Sequence, residues 1–473
     1  MTAKNSAMPT NGASSSAPRV VHLDVAQRAE RGRAARRAVP RSSLAVWEPA
    51  ADRVPAADLL REQETTRVPD LVPIRHERML VSPFAFYRGA AVVMAADLAP
   101  GARTGLTVQC CGDAHLANFG GFASPERDLV FDINDFDETH PAPFEWDVKR
   151  LIASFEIAAR GRGFSPKIRR EIVMHVARSY REAMRTFAGM RNLDLWYARL
   201  DAQQIVARWQ DQLSPEQQAR IEKTVGKASK RDNLQAFAKL TSRVDDEIRI
   251  VSDPPLLVSL ADLVAGEADA QLEWLAEQFR VYRRSLSPDR RRLLESYRLV
   301  DAARKVVGVG SVGTRCWILL LLGRDDDDPL FLQVKEAEAS VLERHTTKRA
   351  YPNNGRRVVE GQRLLQASSD ILLGWIRPQS PDGIERDFYV RQLRDWKVSP
   401  NIDLMEANAM KPYAEMCGWT LARGHARSGD RVAIGAYLGS SDVFEKSVAE
   451  FASVYADQNE RDYEAMSAVA TVS

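Results

Sequence analysis

Cysteine is scarce. Four stand in 473 residues: Cys110 and Cys111 are adjacent, and Cys316 and Cys417 are alone. No CxxC spacing occurs, which argues against a thiolate zinc cage and against a disulfide framework. The four are expected to be small buried side chains in a reducing compartment. Long apolar runs are missing too. The best, Cys316 to Leu322, is far short of a membrane-spanning helix, so no membrane partner is expected. Residues 1–18 are polar and carry no apolar signal core. An excess of one charge is also absent, with 66 Lys+Arg against 64 Asp+Glu. That balance argues against a protein held to nucleic acid by counterion release. The expectation is a cytoplasmic globular protein, with 45% hydrophobic and 27% charged residues.

The text divides along its length. Residues 1–45 lack apolar periodicity and read as a disordered basic arm, with Arg28, Arg31, Arg33, Arg36, Arg37 and Arg41; a short helix over 25–38 is the alternative. Residues 46–300 read as a mostly helical lobe. Ile168, Ile172, Val176 and Tyr180 recur at helical spacing, and Pro254-Pro255 marks an extended connector. Within that span, 107–111, 118–122 and 129–133 read as strands. Residues 301–400 are strand-rich, at 317–322, 330–334, 371–376 and 388–393, with one helix near 357–367. Residues 401–473 return to helix.

The most informative stretch runs from Cys110 to Glu138. Two apolar strand-like runs present Asp113, His115, Asn118, Asp132, Asp135 and Asp137 at or near their ends. Acids flanked by apolar residues are costly unless a cation or partner compensates, which points to a divalent-metal or proton-transfer site. An Asp followed five residues later by Asn, and then by an Asp-Phe after a strand, resembles the kinase catalytic-loop arrangement, which implies an Asp that accepts a hydroxyl proton and an Asn and second Asp that hold Mg²⁺. Gly112-Asp113-x-His115-x-x-Asn118 resembles the catalytic loop of aminoglycoside phosphotransferases and choline-kinase-like enzymes. Asp135-Phe136 resembles their metal-binding Asp. Pro143-x-x-Trp146-Asp147 resembles the segment whose Asp opens a helix and braces that loop, and this favours Asp135 over Asp132. Asp137 is an extra metal candidate. His115 is expected to support the loop through hydrogen bonds, and Asp147 to act as a helix cap.

A nucleotide site needs a phosphate cradle and a lysine, and both come later in the chain. Gly308, Gly310 and Gly313, with Ser311 among them, match G-x-G-x-x-G and lead into a strand. A helix after them would have suggested a dinucleotide fingerprint. Lys335 closes the next apolar strand, as a phosphate-pairing lysine does. Glu360, on the following helix, is its expected partner, with Glu336 and Glu338 as rivals. The resemblance therefore implies an α+β fold that is two-lobed and protein-kinase-like (aminoglycoside-phosphotransferase-like). The rotated order of these elements implies a circular permutation, with a large helical lobe expected first and a small antiparallel-sheet lobe second.

Over about residues 48–465 the chain also resembles the bacterial family of domain of unknown function 2252. The resemblance rests on Ser82-Pro83-Phe84-x-Phe86-x-Arg88-Gly89, the Gly112–Gly120 stretch, and Asn134-Asp135-Phe136-Asp137-Glu138-Thr139. It extends to Glu145-Trp146-Asp147-x-Lys149-Arg150, Tyr389-Val390-Arg391-Gln392-Leu393 and His425-Ala426-Arg427-Ser428-Gly429-Asp430.

The leading expectation is an ATP- and Mg²⁺-dependent phosphotransferase with a small hydroxyl or amine acceptor. A metal-dependent phosphoesterase is the alternative, although seven histidines in the chain are few for it. A non-catalytic or nucleotidyl-transferring kinase-like protein is the third reading. His425, Arg427 and Asp430 are expected to brace the site, and Arg88 to hold a phosphate or tie two loops together.

Overall fold

The computed structural model describes residues 21–209, 233–264, 266–346, 351–378, 383–393 and 396–472. Helices form one part and a six-stranded sheet forms the other. The Phe144–Gly161 helix runs through the helical part, and every residue from Phe144 to Ala159 is buried. A helix apolar on all sides would suit that position, but this one carries Glu145, Asp147, Lys149, Arg150 and Glu156 inside with it. Buried charges need partners: Glu145, Asp147 and Arg150 find them in the surrounding loops, Glu156 pairs with Arg160 and Arg169, and Lys149 lies over the Phe451 ring. Packed about this helix are Pro166–Gly189, Ala407–Ser428 and Val443–Val472, in the largest hydrophobic core. Short strands border it. β1 (Thr107–Cys110) pairs with β4 (His140–Pro143), and β2 (Phe119–Ala123) with β3 (Leu129–Ile133), which meets β5 (Leu200–Asp201).

The other part is an antiparallel sheet in the order β12-β13-β11-β10-β9-β8. Its strands are β8 (Leu257–Ser259), β9 (Arg298–Lys305), β10 (Cys316–Leu322), β11 (Pro329–Ala337), β12 (Gly374–Ile376) and β13 (Asp387–Gln392). Side chains alternate between the faces of a strand. One face of the sheet buries Leu319, Leu321, Leu330, Leu332 and Val390 beneath Phe279 and Tyr282 of the Ala268–Arg283 helix. The other buries Ile318, Leu320 and Phe331 against Ile248 and Ile250 of the hairpin β6 (Thr241–Val244) and β7 (Glu247–Ile250). The Asn354–Leu365 helix connects β11 to β12.

Two boundary expectations need correction. The division near residue 300 lies too late, because residues 233–305 supply β6 to β9 and the helices that cover the sheet. They pack there because their apolar positions match the two faces of the sheet. Pro254-Pro255 sits between β7 and β8, within this part.

The basic arm is also ordered from Val25. Val25–Ala38 is a helix with a capping box formed by Asp24 and Gln27. It lies against the Arg431–Leu438 helix so closely that a Cβ on Gly32 would come 2.0 Å from the Ala433 carbonyl. Arg28 pairs with Asp430 at 2.8 Å, and Arg36 Nε donates to the Tyr437 carbonyl at 2.8 Å. Arg41 donates to the Leu438 carbonyl. The arm's arginines thus satisfy the unpaired carbonyls at the end of a neighbouring helix. Residues 1–20 of the expected arm lie outside the described residues. Among the described residues, no helix is long and apolar enough to cross a membrane.

Candidate active site

The acidic loop is held from below. After β1, Gly112 takes a φ of +83°, and a Cβ there would sit 2.1 Å from the Glu138 carbonyl. Only glycine makes both the turn and the close approach. Asp147 accepts from the Cys111 amide at 2.7 Å and from the Gly112 amide at 3.0 Å. It does not cap its own helix, whose N-cap is Pro143. The expected cap is therefore a brace between the helix and the loop, placed one turn inside the helix. His425 supports it: its Nε2 lies 3.2 Å from Asp147, and its Nδ1 is 2.8 Å from the Tyr180 hydroxyl. Cys110, Asp147 and His425 bring donor atoms within 4.8 Å of one another. Both Asp147 oxygens there already accept loop amides.

Asp113 emerges from this turn. Arg150 Nε donates to it at 2.6 Å, while Arg150 also donates to the Tyr87 carbonyl at 2.9 Å. Burial pushes the Asp113 carboxyl above its ordinary range, and Arg150 and Arg88 act against that shift. Asn118 Nδ2 donates to the Asp113 carbonyl at 3.0 Å, which leaves the amide oxygen as its donor atom toward a cation. The Asn118 carbonyl accepts the Asn134 amide at 2.8 Å, so the second acidic segment is tied to the first.

His115 departs from expectation. Its ring makes no short hydrogen bond: Nε2 is 3.6 Å from Asp113, and Nδ1 is buried without a partner. Burial, then Arg88 and Arg150, hold it neutral. The ring packs edge-on against Phe84, and support of the loop comes from the His115 backbone instead, bonded to Asp113 and Asn118.

Asp135 and Asp137 face the sheet. Lys335 Nζ contacts Asp137 and lies 4.0 Å from Asp135. Tyr389, the cross-strand neighbour of Lys335, donates to Asp137 at 2.7 Å, and Ser311 Oγ donates to it at 3.0 Å. Desolvation, then the Asp137 charge, push Asp135 up. Desolvation works upward on Asp137 as well, but Lys335 and Tyr389 leave it below the ordinary range. Burial pushes Glu138 up to about 7; its carboxylate accepts the Val341 amide at 2.7 Å.

The glycine turn closes the far wall, and Gly308, Val309, Gly310 and Ser311 line the cleft. Gly310 abuts the Arg88 carbonyl, with a built Cβ 3.1 Å away. Gly313 has a φ of +92° and packs on Arg67, outside the cleft lining. Arg67 donates to the Gly310 and Val312 carbonyls, and Arg78 to that of Val307 at 2.6 Å.

Of the residues expected at the site, Asp113, His115, Asn118, Asp135, Asp137, Gly308, Gly310 and Ser311 line one cleft of about 70 Å³, and Lys335 bonds to its Asp137 wall. Glu360 is not there. It lies between Arg356 and Arg363, 3.8 Å from each. The Asn354–Leu365 helix reaches the acidic loop through Arg357 instead, which donates to the Asp137 carbonyl at 2.8 Å and to that of Thr139 at 2.6 Å. Two of the rivals are engaged elsewhere. Asp132 is buried against Arg423 at 2.6 Å, and Glu336 is turned to Arg315. Arg427 stacks over Trp196 and donates to the Gln366 carbonyl, while Asp430 caps the Arg431–Leu438 helix. Both brace.

A family model described as "Uncharacterized protein conserved in bacteria (DUF2252)" matches residues 67–468. The chain belongs to this family. Neither the curated proteins nor the solved structures gave a match. The match spans every cleft residue of this DUF2252 chain except Gln63.

The sequence motifs include Arg150 and Tyr389 but give neither them nor Arg357 a role at the site. Arg150 was findable, since it stands three residues after Asp147 on one helix face. Tyr389 required the register of β11 against β13. Two larger cavities adjoin the sheet. One, of about 330 Å³, is lined by Trp274, Phe279, Trp317 and Val334, on the face away from Lys335. The other, of about 260 Å³, lies on the Lys335 side and is lined by Asn134, Gln333, Gln366 and Arg391.

Proposed function

We propose that the protein is an ATP- and Mg²⁺-dependent phosphotransferase with a small hydroxyl or amine acceptor, built on a kinase-like fold whose two lobes run in rotated order. The observation that carries this reading is the convergence of Asp113, Asn118, Asp135 and Asp137 from one part with Lys335 and Ser311 from the other, over one cleft. In sequence these groups are up to 222 positions apart, from Asp113 to Lys335 (335 − 113). The order of the sheet supports the fold reading. A glycine turn joins β9 to β10, the lysine is on β11, and a helix precedes β12 and β13.

The donors suit Mg²⁺: Asn118, Asp135 and Asp137 offer oxygen only, which is what a hard cation takes. Asn118, Asp135 and Asp137 would hold the ion, which would supply neutralisation of the charge that develops on the phosphates. Asp135, pushed up by desolvation and by Asp137, has an electrostatic deficit that a cation relieves. Lys335 exchanges its Asp137 contact for phosphate oxygens, and the glycine turn lies over them. The nucleoside half occupies the polar cavity beside Asn134 and Gln333. Asp113 orients the acceptor and takes its proton. The γ-phosphorus to bridging-oxygen bond breaks, its electron pair leaves on ADP, and a bond forms from phosphorus to the acceptor oxygen or nitrogen.

The phosphoesterase reading finds less support. Among the described residues, His115 is the one histidine lining the cleft, too few for a two-metal site of the phosphoesterase kind. The test is ADP release by the full chain with Mg²⁺-ATP over a panel of small alcohols and amines. Asp113→Asn lowers turnover about 10²- to 10⁴-fold while ATP still binds. Full turnover in that variant would remove Asp113 from the mechanism.

A further inference from the structure

Four arginines around the cleft are tied down. Arg67 holds the carbonyls of the glycine turn, Arg75 pairs with Glu64 at 3.0 Å, Arg150 pairs with Asp113, and Arg357 holds the carbonyls of the acidic loop. Arg88 is the exception. It lines the same cleft as Asp113, Asp135 and Gly308 to Ser311. Among the described residues its guanidinium makes no hydrogen bond or ion pair. Its Nε is buried without a partner, and its one ring contact is Phe84, at 6.0 Å to the centroid.

The backbone that carries it is fixed on both sides. The Tyr87 carbonyl accepts from Arg150 and the Gly89 carbonyl from Arg75, at 2.9 and 3.1 Å. The Arg88 carbonyl itself abuts Gly310. A half-buried guanidinium whose Nε is buried without an acceptor carries an unmet hydrogen bond, which an arriving anion satisfies. Burial lowers its pKa, with Asp113, Asp403 and Asp135 acting against that, so the surrounding carboxylates offset the penalty only in part.

We propose that Arg88 is the anion-binding residue of this cleft and takes the terminal phosphoryl group of the nucleotide, a role that rests on the phosphotransferase reading above. The guanidinium fork matches phosphoryl oxygens in a way that a lysine point charge does not. Its place beside Asp113 puts it where the phosphoryl group passes from ADP to the acceptor. Lys335 then serves the inner phosphates and Arg88 the group in transfer. Arg88 therefore distinguishes ATP from ADP, and Lys335 serves both.

The experiment is calorimetric titration of the full chain with Mg²⁺-ATP, Mg²⁺-ADP and Mg²⁺-tripolyphosphate, for the wild type, Arg88→Gln and Arg88→Lys. Thermal melting shows that each variant is folded. The wild type is expected to prefer ATP to ADP by about 10-fold or more, one charge-assisted bidentate contact being of that order. Arg88→Gln loses that preference by weakening ATP and tripolyphosphate while leaving ADP unchanged, and Arg88→Lys restores part of it. Equal weakening of ATP and ADP, or no change in either, overturns the assignment of Arg88 while the phosphotransferase reading stands. A wild type that binds neither nucleotide overturns that reading instead. Arg88 is then judged on tripolyphosphate alone, where failure to bind, or binding unaffected by Arg88→Gln, overturns it as well.

Discussion

Lys149 shows what a buried charge costs this molecule. It sits beside Glu145 and Arg150 on the central helix, with its ammonium 4.3 Å above the Phe451 ring. Burial, with Glu145 acting against it, pulls its pKa from 10.5 down to about 8. The folded state therefore binds this proton less tightly than the unfolded chain does. Above pH 10.5 the amine is neutral in both states and carries no penalty. As pH falls through 8 the penalty becomes complete, at about 3 kcal/mol for a shift of this size. Lys149→Met should raise stability at pH 7 by about 1–3 kcal/mol, since the thioether fits the apolar surroundings and the relieved burial cost exceeds the lost cation–π contact. The gain should shrink toward pH 10.5. Urea denaturation at pH 7 and pH 10 checks both the sign and the trend. Asp147 sits two residues earlier on the same helix and is buried for a different reason: it holds the turn that carries Asp113.

At the scale of the element, the Gly112 turn is the least replaceable piece of the site. Gly112→Ala places a Cβ at positive φ and against the Glu138 carbonyl at 2.1 Å. It should cost about 2–4 kcal/mol, measurable by urea denaturation, because neither backbone segment can yield without breaking the Asp147 brace. Elements of this kind were the most legible in the sequence. Glycine, Asp113 and Asn118 are read from local spacing, and β10, β11 and β13 coincide with apolar runs bounded by turns. Glu360 was misread because helical spacing alone leaves the rotation of the helix open. Arg357 and Glu360 are i,i+3 neighbours about 60° apart on the same side of the helix, and that offset is enough for Arg357 to meet the acidic loop while Glu360 stays at the edge with its two arginines. A helix over Val25–Ala38 was within reach of the sequence, but its docking was not, because that contact is tertiary. Its arginines satisfy carbonyls about 400 positions away, which no local pattern records.

At the scale of the whole molecule, the account turns on two parts meeting across one cleft. That meeting was partly legible: acids early, and a glycine turn with a lysine late, are complementary sets. The boundary between the parts was not, because residues 233–305 carry helical spacing yet cover a sheet. The cleft between the parts is about 70 Å³, and Lys335 bonds directly to Asp137 across it. In the proposed reading, phosphate oxygens displace that contact while the nucleoside half lies in the neighbouring polar cavity. The most direct measurement is the affinity of the full chain for ATP with and without Mg²⁺, repeated for Lys335→Ala and Asp135→Asn. The account predicts micromolar-range binding that depends on Mg²⁺ and is weakened about 10-fold or more by either substitution, even though the two residues come from different parts. ATP binding that ignores Mg²⁺ and both substitutions, or no binding at all, would contradict it.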